Sequence, residues 1–237
     1  MTNTVSSPRY LLIAVDGPAG SGKSTAARLL AEQLGCIHAD SGAIYRTVTL
    51  ALMERLGAGD SAEDFGRKLA DANIDFNTLR CEVLLVNNTQ SNRIAGLDVG
   101  DRIRTPEVTE RIRYIADKRG YREMVNSLLR NFAQKTDLVV DGRDIGTVVF
   151  PQANFKFFLE ASVRVRAERR RREYEARGIA PPAPGDLEED IRKRDEQDMN
   201  RPFGALKRDP DAIVIDTSDL DINGVVHLLL SYLQIRF

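Results

Sequence analysis

Gly17-Pro18-Ala19-Gly20-Ser21-Gly22-Lys23-Ser24 is the stretch that decides how this chain is read. An apolar run precedes it, Tyr10-Leu11-Leu12-Ile13-Ala14-Val15. A helical pattern follows, with Ala26, Leu30 and Leu34 on one side. Strand, glycine-rich loop and helix in that order turn the spacing G-x-x-x-x-G-K-[ST] into a phosphate-binding expectation. A loop of small residues exposes backbone N–H groups in a concave nest, and the start of the helix behind it adds positive potential. A Cβ at Gly17, Gly20 or Gly22 would block the backbone angles and close approach that such a nest needs. The Lys23 ammonium can reach β- and γ-phosphates, and the Ser24 hydroxyl can ligate Mg²⁺. The run from Gly17 through Ser24 to Thr25 is therefore the expected nucleoside triphosphate site. The loop does not say which reaction follows.

The rest of the chain bounds that reading. A length of 237 residues suits one α/β domain with insertions and is enough to bury a full core. The net charge of −1 gives the molecule no overall bias toward a polyanion, so basic patches must be argued locally and no nucleic-acid partner is expected. Apolar runs are of strand length, short of the roughly 18 residues that a membrane span needs. Met1–Pro8 reads as a loose tail with no charged or apolar signal-peptide region. Cys36 and Cys81, with no CxxC, make neither a disulfide framework nor a zinc site, and a reducing cytoplasm is the simplest setting.

Gly35 should stop the first helix. Asp40 or Ser41 can then cap a helix whose apolar face is Ile44, Val48, Leu52 and Leu56, ended by Gly57 and Gly59. Residues 60–100 change character: a short helix (Ala62 to Ala72) gives way to Ile74-Asp75-Phe76 and Glu82–Val86, with Asn87-Asn88 as a turn. This is read as a small, mostly antiparallel β insertion. Thr105-Pro106-Glu107 has the cap, proline and early acid of a helix start, and a second helix runs from about Tyr121 to Phe132. Leu138–Asp141, Phe155–Leu159 and Ala212–Asp216 read as buried strands. Ser162 can cap a very basic helix running to Arg177. Gly178–Gly185, with three prolines, is an irregular connector, and Asp186-Leu187-Glu188-Glu189 resembles a capping box that opens the next helix. A last helix starts near Asp221. Strands alternating with helices predict an α/β fold, a parallel sheet covered on both faces, with ligands beyond its C-terminal strand ends.

Those ends carry the candidate chemistry. Asp141 closes an apolar strand, as a Walker-B-like acid would, and could hold Mg²⁺ through water. Arg143 offers a planar fork for phosphate, and Asp144 can accept hydrogen bonds from an amino group. Arg46 sits near a helix start, where the dipole disfavours a cation. A nearby anion would explain it, and so would simple solvation. Leu187, Ile191, Arg194, Asp198 and Arg201 follow one helical stripe that turns from apolar to charged, which points to a wet polar cavity. The arginine-rich helix is either a solvated or nucleic-acid-binding surface or a lid over the triphosphate. The neighbouring proline segment favours the lid, with most of its arginines solvated. His38 and His227 have no ligand spacing or nucleophile partner and are read as structural.

At this point the chain resembles the bacterial cytidylate kinases, within the nucleoside monophosphate kinases. The resemblance covers nearly the whole chain. It rests on DGPAGSGKS at 16–24, DSGAIYR at 40–46, IRTPEV at 103–108, DGRDIGTVVFP at 141–151 and R-x3-D-x2-R at 194–201. It implies a P-loop NTPase-type parallel sheet in the order 2-3-1-4-5 and ATP-dependent phosphorylation of CMP and dCMP, with Mg²⁺. It also implies a single kinase domain over 1–237 acting as a monomer on small molecules. Within that domain lie a core at about 9–40, 136–162 and 208–237, a monophosphate-binding region at about 41–135 with its β insertion at about 60–100, and a lid at about 163–190. Carried over by motif, Arg46, Arg143 and Arg201 resemble the acceptor-phosphate clamp. Asp144 and Arg122 resemble the cytosine readers, Arg194 and Asp198 the ribose contacts, and Ser41 a neighbour of the bound nucleotide. Arg169 matches the lid arginine that meets the ATP phosphates, so Lys23, Asp141, Arg143 and Arg169 form the expected catalytic set, and Ser24 the metal ligand. One position departs: where some relatives carry a cytosine-contacting serine, this chain has Arg113. The competing readings are a kinase for UMP, AMP or shikimate, a nucleotide-gated switch or GTPase, and a nucleic-acid-binding module. The sequence holds no NKxD guanine motif.

Overall fold

A computed structural model describes residues 9–57, 61–72, 74–86 and 89–234. In chain order the elements are β1 (Leu12–Asp16), α1 (Lys23–Leu34), β2 (Ile37–Asp40), α2 (Ser41–Leu56) and α3 (Ala62–Asp71). Next come β3 (Cys81–Val86), β4 (Thr89–Ile94), β5 (Leu97–Asp98), α4 (Pro106–Ala116) and α5 (Arg119–Ala133). The chain then forms β6 (Leu138–Gly142), β7 (Phe155–Glu160), α6 (Val163–Ala176), α7 (Pro184–Met199), β8 (Ile213–Asp216) and α8 (Ile222–Gln234). The expected tail at 1–8, the stop at Gly59 and the Asn87-Asn88 turn lie outside the described residues. Among the described residues, no helix is long and apolar enough to cross a membrane.

The chain divides into two compact units. One takes the described residues up to His38 and from Phe132 on, and the other is Ala39–Asn131. In the first, the large sheet has the order β2-β6-β1-β7-β8. Counting only its own strands, that is 2-3-1-4-5. β1 lies at the centre and pairs in parallel with β6 (Ala14 opposite Val140) and with β7 (Val15 opposite Phe157), while β7 pairs with β8 (Leu159 opposite Ile215). All five β1 residues are buried, as a strand covered on both faces requires. Ala26 and Leu30 of α1 and Val225 and Leu229 of α8 pack with Ile13, Val15, Phe157 and Leu159 in one apolar cluster. Gly35 ends α1 in the left-handed conformation. Ser162 caps α6 by accepting a bond from the Val165 N–H. The capping-box reading at Asp186 is corrected: α7 begins at Pro184 with no side-chain cap. The proline at the first helical position has a preset φ and no N–H to leave unsatisfied, so the helix starts three residues earlier than a cap at Asp186 would place it.

In the second unit the Asp40 carboxylate accepts the Ala43 N–H at 2.9 Å, and Thr105 caps α4 with Pro106 at its first position. Strands β3, β4 and β5 form a three-stranded sheet with antiparallel pairing, Leu84 opposite Ser91 and Ile94 opposite Leu97. Ile74-Asp75-Phe76 does not join it: the chain makes a 3₁₀ turn at Phe76–Leu79 instead. The turn is closed at the Asp75 carbonyl, which accepts both the N–H and the hydroxyl of Thr78.

Candidate functional site

In the first unit the phosphate loop leaves β1 and runs into α1. Gly20 and Gly22 take φ of 78° and 85°, left-handed conformations that glycine adopts without penalty. Gly22 caps α1 with no side chain, so the first N–H groups of the helix stay open for an acceptor. A Cβ on Gly17 would lie 2.0 Å from the Leu159 carbonyl oxygen, so only glycine lets the loop rest on β7. Lys23 is buried, and its ammonium donates to the Pro18 carbonyl at 3.0 Å. Burial pushes the Lys23 ammonium down to about 7, and the Arg143 and Arg194 charges add to this, against the pull of Asp141 and Asp198. A polyphosphate bound at the loop would favour the charged form of this ammonium. The buried Ser21 hydroxyl, which has no hydrogen-bond partner among the described residues, adds a further polar group in the same loop.

Ser24 and Asp141 meet: the hydroxyl donates to the carboxylate at 2.5 Å. The other Asp141 oxygen lies 2.8 Å from His38 Nε2. Burial works to raise the Asp141 carboxyl, but the bond to His38, the Lys23 charge and the Ser24 bond together hold it below the ordinary carboxylate range. His38, read from the sequence as structural, thus has a partner that its sequence context did not show, the carboxylate near the end of β6. Hydroxyl and carboxylate oxygens suit a hard divalent cation. Among the described residues there is no group of three or more His, Cys, Asp or Glu placed to hold a metal ion.

A second group of charges lies in the same unit. Asp198, near the end of α7, accepts from Arg143 Nε at 2.7 Å and pairs with Arg201 at 2.6 Å. Although burial opposes it, these arginines and Arg194 keep the Asp198 carboxyl ionised, below its usual range. Asp144 is buried next in the chain after Arg143. On α6, Arg169 donates to the Thr217 hydroxyl and carbonyl at 3.0 and 2.6 Å and to Gly20 at 3.4 Å, against the phosphate loop.

Within α6, Arg164 and Arg172 are exposed and one arginine turns inward. Arg166 is only 4% exposed and forms a two-pronged pair with Asp195 of α7 at 3.0 and 2.6 Å. It also donates to the carbonyls of Ala161 and of Ala19 in the loop. Asp16, at the end of β1, is another buried acid that sequence reasoning passed over, with its carboxylate accepting from Ile145 N at 2.8 Å and Gly146 N at 2.7 Å. Burial, with the Asp144 charge adding, pushes Asp16 up to about 7 against those two N–H bonds. The folded protein therefore keeps this proton up to about 7, whereas the unfolded chain sheds it near 3.8. Stability from Asp16 is complete below the lower value and falls as pH rises through the upper one, by about 1.4 kcal/mol per pH unit between them. Urea unfolding at pH 5 and pH 7 should show the native chain losing more stability over that interval than Asp16→Asn; equal slopes would contradict this.

In the second unit, Ser41 is buried at the start of α2. Arg46 donates to the Thr109 hydroxyl at 2.6 Å and the Ile103 carbonyl at 3.4 Å. Arg122 is buried, donates to the Ala116 carbonyl at 3.1 Å and lies 5.5 Å over the Tyr45 ring. Sequence reasoning missed buried Arg111 and Asn126, whose polar character hid them among surface residues. Arg113 is bonded to the Tyr114 hydroxyl at 3.0 Å and to Glu63 at 3.3 Å.

A glycine-rich loop with a buried lysine at the C-terminal edge of a parallel sheet, beside a strand-end acid paired to the loop serine, defines a P-loop phosphotransferase. The family model described as cytidylate kinase matches residues 13–235. A cytidylate kinase of Lactobacillus johnsonii is 41% identical over 95% of this chain and 95% of its own length. Those of Desulforamulus reducens and Geobacter sulfurreducens are 41% and 40% identical, over 94% and 96% of this chain and 96% and 94% of theirs. The chain belongs to the cytidylate kinase family, nucleoside monophosphate kinases. Among solved structures, a shikimate kinase from Bacteroides thetaiotaomicron is much more distant, at 15% identity and a TM-score of 0.47 over 94% of this chain and 98% of that one.

Proposed function

We propose that this chain transfers the γ-phosphoryl group of ATP to a 5′-phosphate oxygen of CMP, and of dCMP, giving ADP and the nucleoside diphosphate. The observation that carries the reading is the density of cations around Lys23. Arg143 and Arg194 lie near enough to Lys23 to depress it, and Arg143 and Arg201 share Asp198, so guanidinium groups gather beside the phosphate loop as well as the lysine within it. A second anion, the acceptor phosphate, accounts for them.

For the donor we assign Gly17 to Thr25 as the cradle, Lys23 to the β- and γ-phosphates and Arg169 to the phosphates from α6. Ser24, backed by Asp141, would hold Mg²⁺, which when bound neutralises phosphate charge. For the acceptor we assign Arg46, Arg143 and Arg201 to phosphate, Arg194 and Asp198 to ribose, Asp144 and Arg122 to the base, and Ser41 beside the nucleotide. The acceptor is already an anion at neutral pH, so the chain needs no strong general base. Its residues act by aligning two phosphates and neutralising the charge between them. We take the enzyme to act as a monomer in the cytoplasm. The free thiols of Cys36 and Cys81 suit a reducing compartment.

The test is ADP formation measured against CMP, dCMP, UMP, AMP and shikimate in turn. CMP should give the highest kcat/KM, and a higher value for AMP or shikimate would reject the assignment. Asp144→Ala should weaken CMP binding roughly 10- to 100-fold, the worth of a hydrogen bond to a charged group, and leave ATP within a few-fold. Calorimetric titration of each nucleotide checks this, and unchanged CMP affinity would remove Asp144 from the base site.

A further inference from the structure

Asp16 is assigned to neither substrate, yet it is a buried acid with both carboxylate oxygens hydrogen-bonded. It closes β1 immediately before Gly17 and is 4% exposed. Each carboxylate oxygen takes one backbone N–H, from Ile145 and Gly146. Those are the first amides of a wide turn, Ile145–Val149, whose internal bonds run from Val149 N to the Asp144 carbonyl and from Phe150 N to the Ile145 carbonyl. The opening amides of such a turn find no acceptor within it, and here a carboxylate from a distant strand supplies one. The turn follows directly on Arg143 and Asp144, so gripping its first two amides fixes the backbone that presents both.

We propose that Asp16 is a positioning residue for the acceptor: through the Ile145 and Gly146 amides it sets Arg143 and Asp144 in register with the phosphate loop that begins one residue after it. The proposal rests on the assignment of Arg143 and Asp144 to CMP. The two-acceptor geometry makes a specific demand on substitutions. Asn has the same shape but only one acceptor oxygen, and its NH₂ would oppose the second amide. Ala opposes neither amide and lets water reach both.

At pH 8, Asp16→Asn should raise KM for CMP at least tenfold and move KM for ATP less than threefold. Asp16→Ala should harm CMP no more than Asp16→Asn does. An unchanged KM for CMP in Asp16→Asn, an equal rise for both nucleotides, or a variant series ordered by side-chain volume would overturn the proposal. Amide hydrogen exchange on the unsubstituted protein gives a second reading that needs no variant and no CMP. Ile145 and Gly146 should exchange at least a thousandfold more slowly than free amides, and exchange at the free rate would also overturn it. CMP turnover by the unsubstituted enzyme in the same assay tests the acceptor assignment separately.

Discussion

Lys23→Met should yield a folded protein at least as heat-stable as the original, with turnover reduced roughly a thousandfold. The two halves of that result have one cause. Lys23 is buried, and burial with Arg143 and Arg194 drives its ammonium down to about 7, so the folded state holds this charge at a cost. Methionine matches the stem in length and fills the same space without a charge, which removes that cost. What it cannot do is stabilise charge on the group in flight, and removing one such donor from a closed site typically costs a hundredfold to a thousandfold in kcat. The cost in stability is the sign of a residue kept for chemistry. Thermal unfolding and steady-state kinetics on one preparation check both halves. Turnover near normal would remove Lys23 from the reaction.

Asp195→Ala should have the largest effect on stability, about 3–5 kcal/mol, because it leaves the Arg166 guanidinium buried with no counter-charge. The pair joins three pieces of chain. Arg166 belongs to α6, Asp195 to α7, and a further bond reaches the Ala19 carbonyl in the phosphate loop. Ala167, Leu187 and Ile191 supply only a small apolar cluster between the two helices, so the ion pair has little apolar packing behind it. Replacing both partners by apolar residues of similar size, Arg166→Met with Asp195→Leu, should recover much of the loss, since the cost of a lone buried charge disappears. Urea midpoints for the single and double variants decide the matter. A single variant within 1 kcal/mol of the original would show that the pair is not an effective fastening.

Much of this was legible in the residues themselves. The phosphate loop, the caps at Asp40, Thr105 and Ser162 and the acid closing β6 are local signals, set by neighbours a few positions away. The charged continuation of the Leu187–Ile191 stripe was legible too, and Asp198 does bind Arg143 and Arg201. The misses are long-range pairs. His38 meets Asp141 across 103 positions, and Asp16 meets Ile145 across 129, and no spacing rule encodes either. Arg166 was hidden differently. It is one of many arginines on α6, and the run of like charge masks the single position that turns inward. Asp195, four residues after Ile191 on the same face of α7, was the available clue. The start of α7 shows the reverse error: an acidic capping pattern outranked a proline two residues earlier, although proline at a first helical position is the stronger start signal here.

The most direct check is phosphorus NMR of the enzyme with equimolar ATP and CMP and added Mg²⁺. The predicted spectrum shows ADP and CDP growing together, one for one, with no inorganic phosphate beyond a trace and no reaction when CMP is left out. Steady release of inorganic phosphate at the same rate with or without CMP would contradict the account, because the arginines around Lys23 would then have no second phosphate to hold.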